Sequence, residues 1–250
     1  MFKIKNISKP KLKNPILIEG LPGMGNVGKI AIDFMVEHLD AKKFIEIKSK
    51  TFPSCVFVNE TNLVELPKIE LYYKNLKDHS LIFLTGDIQP TQEQDCHEFC
   101  EIILNIFQEL KGKEIITMGG IGLPEPPKSP KVYTTANIKD IIKKYNQKNN
   151  SLYGLVGPIV GVSGLLLGLG HERKIPAISF LAETFGHPNY LGIKGSKEIL
   201  TTLNKKLNLK LDLSELTEEI KEFEKDSNPT KLKKYQPKIK IEDKHLNYIG

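Results

Sequence analysis

The sequence predicts an α/β domain built on a mainly parallel central sheet. Short apolar runs recur along the chain and alternate with longer segments of helical periodicity. A glycine-rich turn joins the first such run to the first helix. The length of 250 residues, 40% apolar and 26% charged, is enough for one large core. Composition divides the chain into a folded part over 1–226 and a flexible lysine-rich tail over 227–250.

The first strand is Ile16, Leu17, Ile18 and Glu19, set off by Pro15. After the turn, Val27, Ile30, Ala31, Phe34, Met35 and Leu39 fall on one helical face. Residues 44–48, 55–59, 63–66 and 69–74 read as strands of a meander, broken at Pro53, Asn62 and Pro67. Residues 81–84 form a buried strand. Thr91 with Gln94 spells a capping box, opening a helix that buries Cys96, Phe99, Cys100, Ile103, Phe107 and Leu110. A strand at 114–118 precedes a Gly- and Pro-dense loop over 119–130. A short basic helix at 137–145, a strand at 177–181 and helices at 196–207 and 213–223 complete the pattern.

Residues 151–170 carry no charge for twenty positions and include two small-xxx-small pairs, Gly157/Gly161 and Gly164/Gly168. Six glycines and Pro158 divide this run. A buried strand followed by a glycine-faced helix packed on a sheet explains it better than a membrane span.

Net charge is +6, and Arg173 is the one arginine among 36 cations. Lysines are point charges without a planar fork, which disfavours nucleic-acid reading; the charge is read as solubility. Three cysteines exclude a disulfide framework and point to a reducing compartment, the cytoplasm. The N-terminal stretch has five lysines and no apolar run of a signal peptide, and no membrane partner is expected.

Gly23, Gly25 and Gly28 fit a dinucleotide fingerprint, with Glu46 as the ribose-binding acid. Together with Lys29 they nearly spell a phosphate-binding loop, but Ile30 stands where a metal-binding hydroxyl is required. The reading retained is a turn, Gly23, Gly25, Gly28 and Lys29, able to cradle an anion on backbone amides. Cys96, His97 and Cys100 invite a metal, yet the cysteines share a core face, so no metal site is expected. Ser163 misses a nucleophile elbow because Leu165 replaces the second glycine. His171, His187, Glu172 and Glu183 are its conceivable partners, with nothing in the sequence to unite them.

Three segments carry a resemblance. They are residues 19–28 (EGLPGMGNVG), 157–168 (GPIVGVSGLLLG) and 175–188 (IPAISFLAETFGHP). In order and spacing over roughly 15–225 the chain resembles archaeal members of the second proteasome assembly chaperone family. The resemblance implies a three-layer sandwich similar to the purine nucleoside phosphorylase fold, with no catalytic residues and no cofactor. It implies an ATP-independent homo-oligomer that engages proteasome α-subunits through C-terminal tails, with a paralogous chaperone as a further partner. Those tails end in a hydrophobic residue, a tyrosine and any residue. Here the partner-binding set is Leu246, Tyr248, Ile249 and Gly250. The tyrosine is third from the end and Asn247 stands in the hydrophobic place, so the anchor is shifted. Two alternatives stand beside this reading: a nucleotide- or nucleoside-binding enzyme using 23–29 as an anion cradle, and a structural oligomer unrelated to the proteasome.

Overall fold

The computed structural model describes residues 2–59, 61–145, 152, 154 and 157–225. Its frame is an eight-stranded mixed sheet. The strands are β1 (Phe2–Asn6), β2 (Ile16–Glu19), β3 (Lys42–Ser49), β6 (Ile69–Asn75), β7 (Ser80–Gly86), β8 (Glu114–Leu123), β9 (Val132–Ala136) and β10 (Ala177–Phe185). Between β3 and β6, β4 (Phe57–Val58) and β5 (Val64–Glu65) pair only with each other as a separate ribbon. The expected meander is thereby corrected: β3 lies directly beside β6.

The sheet order is β1-β3-β6-β7-β2-β8-β10-β9. Its four middle strands, β7, β2, β8 and β10, run parallel. The flanking strands are antiparallel. The parallel centre is buried on both faces, as its unbroken apolar strands require. On β2, Ile16 and Ile18 join one core while Leu17 joins the other, the period of two expected of a strand.

Helices form the outer layers. Packed with Ile16 and Ile18 are α1 (Val27–His38), α3 (Lys139–Tyr145), α5 (Ile193–Leu207) and α6 (Ser214–Lys225). The opposite face carries α2 (Glu93–Glu109) and α4 (Gly161–Glu172). The stripe read on α1 is wholly buried. On α2, Cys96, Phe99, Cys100, Ile103 and Phe107 are buried as the periodicity required, and Leu110 packs against the same core just beyond the helix.

Several local expectations change. The α2 helix starts at Glu93 with Gln92 as N-cap and no side-chain cap bond, so the box at Thr91 does not form. Glu93 and Asp95 in its first turn oppose the helix dipole instead. Residues 157–160 carry no strand, and α4 begins directly at Gly161. No helix among the described residues is long and apolar enough to cross a membrane. The loop expected from 119 is strand as far as Leu123, and β9 follows at the sheet edge. Position 120 shows why glycines sit in that strand. A Cβ on Gly120 would lie 2.3 Å from the Met24 carbonyl oxygen, so the first turn packs directly on its backbone.

Candidate functional site

The glycine turn folds into a single 3-10 turn, Met24–Asn26, ahead of α1. Gly25 and Asn26 take φ of 60° and 50°, conformations that favour glycine and asparagine. The Asn26 N–H donates to Gly23 O at 2.9 Å, and Gly192 N–H donates to Gly25 O at 2.7 Å. Close packing fixes Gly28: a Cβ there would lie 2.6 Å from the Met118 carbonyl oxygen. The turn thus clamps α1 to β2, β8 and the segment before α5.

Beside this turn, over the carboxyl ends of β2 and β8, lies a cleft of about 240 Å3. β2 sits where the chain passes to opposite faces of the sheet, α1 on one side and α2 on the other. Ligands of open α/β sheets bind at such crevices. Gly23 and Gly28 of the expected anion turn line the cleft. Gly25 instead backs onto Thr184. The Lys29 ammonium is ion-paired with Asp33, whose other oxygen accepts from Thr85 Oγ1 at 2.9 Å.

Glu19 forms the floor and is almost wholly buried. Leu21 N–H donates to its Oε1 at 2.9 Å, and Ser163 Oγ donates to its Oε2 at 2.8 Å. The Met118 backbone also favours its charged form. Burial, only partly opposed by these polar neighbours, pushes its carboxyl up to about 7. Gln89 closes one wall by donating from Nε2 to Pro22 O at 2.7 Å, while its Oε1 meets Val162 N at 3.5 Å.

Sequence reasoning did not single out Glu19. The available signal was a carboxylate ending an otherwise apolar buried strand. Glu46 lies on β3, separated from β2 by β6 and β7, and pairs with Lys48 at 3.1 Å. Ser163 sits in the first turn of α4, bonded to Glu19 and not to a histidine. His171 ends the same helix, and His187 stacks on Phe185. Glu183 accepts from Tyr133 and from Lys131 N–H, so the conceivable hydrolase set does not assemble. Cys96 and Cys100 are buried, and the Cys100 thiol is aimed at Val162 O. No cluster of three metal-ligating side chains occurs among the described residues. Leu246, Tyr248, Ile249 and Gly250 lie outside the described residues.

A mixed sheet between two helical layers, with a turn-lined cleft over its parallel centre, makes this a three-layer α/β protein. It belongs to the PAC2 family, whose model matches residues 17–228. The crystal structure of Pyrococcus furiosus PbaB, an archaeal proteasome activator, is similar with a TM-score of 0.82 and 36% identity. That match covers 90% of this chain and 96% of PbaB. Pyrococcus furiosus PbaA, an archaeal homolog of proteasome-assembly chaperone, shares the fold at a TM-score of 0.71 and 24% identity, over 90% of this chain and 94% of its own. The uncharacterized protein MJ1210 of Methanocaldococcus jannaschii is 30% identical over the full length of both chains.

Proposed function

We propose that this protein is a non-enzymatic, ATP-independent assembly factor for the 20S proteasome, acting in the cytoplasm as a homo-oligomer that binds α-subunits. The observation that carries the reading is the 36% identity to an archaeal proteasome activator over nine-tenths of the chain. Membership of the PAC2 family supports it.

The contact is assigned to Leu246, Tyr248, Ile249 and Gly250. A buried tyrosine supplies the apolar anchor of such a contact, in a pocket between subunits whose polar groups hold the segment around it. Several tails on one oligomer raise avidity by roughly 10²–10⁴ where geometry permits. Self-association has a suitable surface in the β4–β5 ribbon. Leu63, Val64 and Leu66 there are 64%, 67% and 63% exposed, a cost in water that burial against a sister subunit removes. A paralogous chaperone could share this surface.

The test is native mass spectrometry of the full-length protein mixed with proteasome α-subunits. A discrete complex without added ATP is expected. Absence of any complex at micromolar concentrations overturns the reading.

A further inference from the structure

The cleft over β2 and β8 has no part in the tail mechanism, yet it has the features of a binding site. We propose that it takes a compact small molecule bearing an amine, amidine or amide N–H group on an apolar body, with Glu19 as the acceptor at its floor.

Glu19 carries the argument. A carboxylate offers about four acceptor positions. Two are filled, by Leu21 N–H and Ser163 Oγ, donors from separate parts of the chain. The remaining acceptor capacity belongs to a side chain that lines the cleft. Among the described residues no cation offsets this buried carboxyl. A group that holds a strand end together gains nothing from being ionisable, whereas a ligand-recognition group does.

The surroundings select the ligand. Lys29 is committed to Asp33, and the Gln89 amide nitrogen to Pro22 O, so neither is available to an anion. Leu21, Met24, Ile159 and Leu181 supply apolar walls. Beyond Thr117, β8 runs six more residues, paired with β10 on one flank and with no strand on the other among the described residues. Gly119, Gly120 and Ile121 in that stretch border the cleft. The volume is below the roughly 300–1,000 Å3 of drug-sized sites, which suits a single-ring ligand.

Benzamidine, benzamide and benzoate test this, since they share a shape and differ in what they donate. Amide NMR spectra of the full-length, nitrogen-labelled protein are recorded during titration with each. Benzamidine and benzamide should shift the Gly23, Gly119 and Gly120 signals with Kd on the order of 1 mM, the range open to so small a ligand. Benzoate should bind at least about tenfold more weakly. Glu19→Gln should weaken benzamidine by at least about tenfold, whereas Ser163→Ala, which keeps the carboxyl, should retain it. If Glu19→Gln does not fold, the contrast between benzamidine and benzoate on the wild-type chain decides. Equal or tighter binding of benzoate, no shift with any probe at about ten times that Kd, or shifts confined to residues away from the cleft overturns the proposal. Each of those results leaves the proteasome reading untouched.

Discussion

The Ser163 hydroxyl donates to Glu19 Oε2 at 2.8 Å, joining residues 144 positions apart in sequence. Through this bond the first turn of α4 is tied to the end of β2, and a buried carboxyl is held at the floor of a cleft.

Glu19 makes stability depend on pH. In the unfolded chain it titrates near 4.5, and in the folded chain near 7. Below the lower value both states hold the proton, so this group contributes no pH dependence. Between the two values only the folded state keeps it, and stability falls as pH rises. The loss through this group is complete by about pH 8 and amounts to roughly 3 kcal/mol. The titratable groups facing Glu19 are the thiols of Cys96 and Cys100 on α2. Urea unfolding of wild type and Glu19→Gln across this range should show their difference in unfolding free energy shifting by that amount. A constant difference refutes it.

Gly28 is fixed by space. In Gly28→Ala the new methyl meets the Met118 carbonyl oxygen at 2.6 Å and the Gly20 Cα at 3.5 Å. Both neighbours are backbone and cannot rotate aside. Overpacking of this kind costs about 1–3 kcal/mol, so the urea midpoint should fall with little change in slope. An unchanged midpoint would show that α1 moves freely over the sheet.

The terminal segment is predicted to hold the α-subunit contact. Deleting Tyr248 to Gly250 should weaken binding by roughly 30-fold, the equivalent of about 2 kcal/mol for a hot-spot tyrosine. The thermal midpoint of the domain should stay where it is. Intact binding after the deletion removes the tail mechanism and leaves any proteasome binding to another surface.

The β4–β5 ribbon is predicted to be an oligomer contact. Replacing Leu63 and Val64 by serine removes exposed apolar area without touching the buried cores. Sedimentation velocity should then show a smaller species with an unchanged far-ultraviolet spectrum. A wild-type sedimentation coefficient would assign self-association elsewhere.

The three cysteines should separate by reactivity. Cys55 is exposed, whereas Cys96 and Cys100 are buried in α2. The adjacent Cys96 sulfur, and then burial, hold the Cys100 thiol far above its ordinary range. A thiol reagent on the native chain should modify one cysteine quickly and the other two only on unfolding. Rapid loss of all three would mean that α2 opens readily.

Much of this architecture was legible because it is local. The apolar run of β2, the glycine turn and the α1 stripe are written in adjacent residues, and each formed where periodicity put it. Errors came where a distant partner overrides local preference. Glycines at 119, 120 and 122 read as loop, yet the strand continues because Met24 needs the space that a side chain on Gly120 would fill. Lysine-rich Phe2–Asn6 carries no apolar run that marks it as a strand, yet it pairs with β3 as an edge strand, where alternating lysines deter further pairing. Thr91 satisfied a capping pattern that the chain entering α2 does not use.

Residue order alone carried the succession of the central strands and their helices, the two apolar faces and the membership of residues 17–228 in one family. Those properties follow from side-chain periodicity and motif order, which are local. Folding in three dimensions was needed to turn Lys29 to Asp33, to set Ser163 against a carboxylate and not a histidine, and to bring Glu19 to the floor of a cleft. Such roles depend on which remote groups share a small volume of low dielectric constant. No spacing along the chain encodes that.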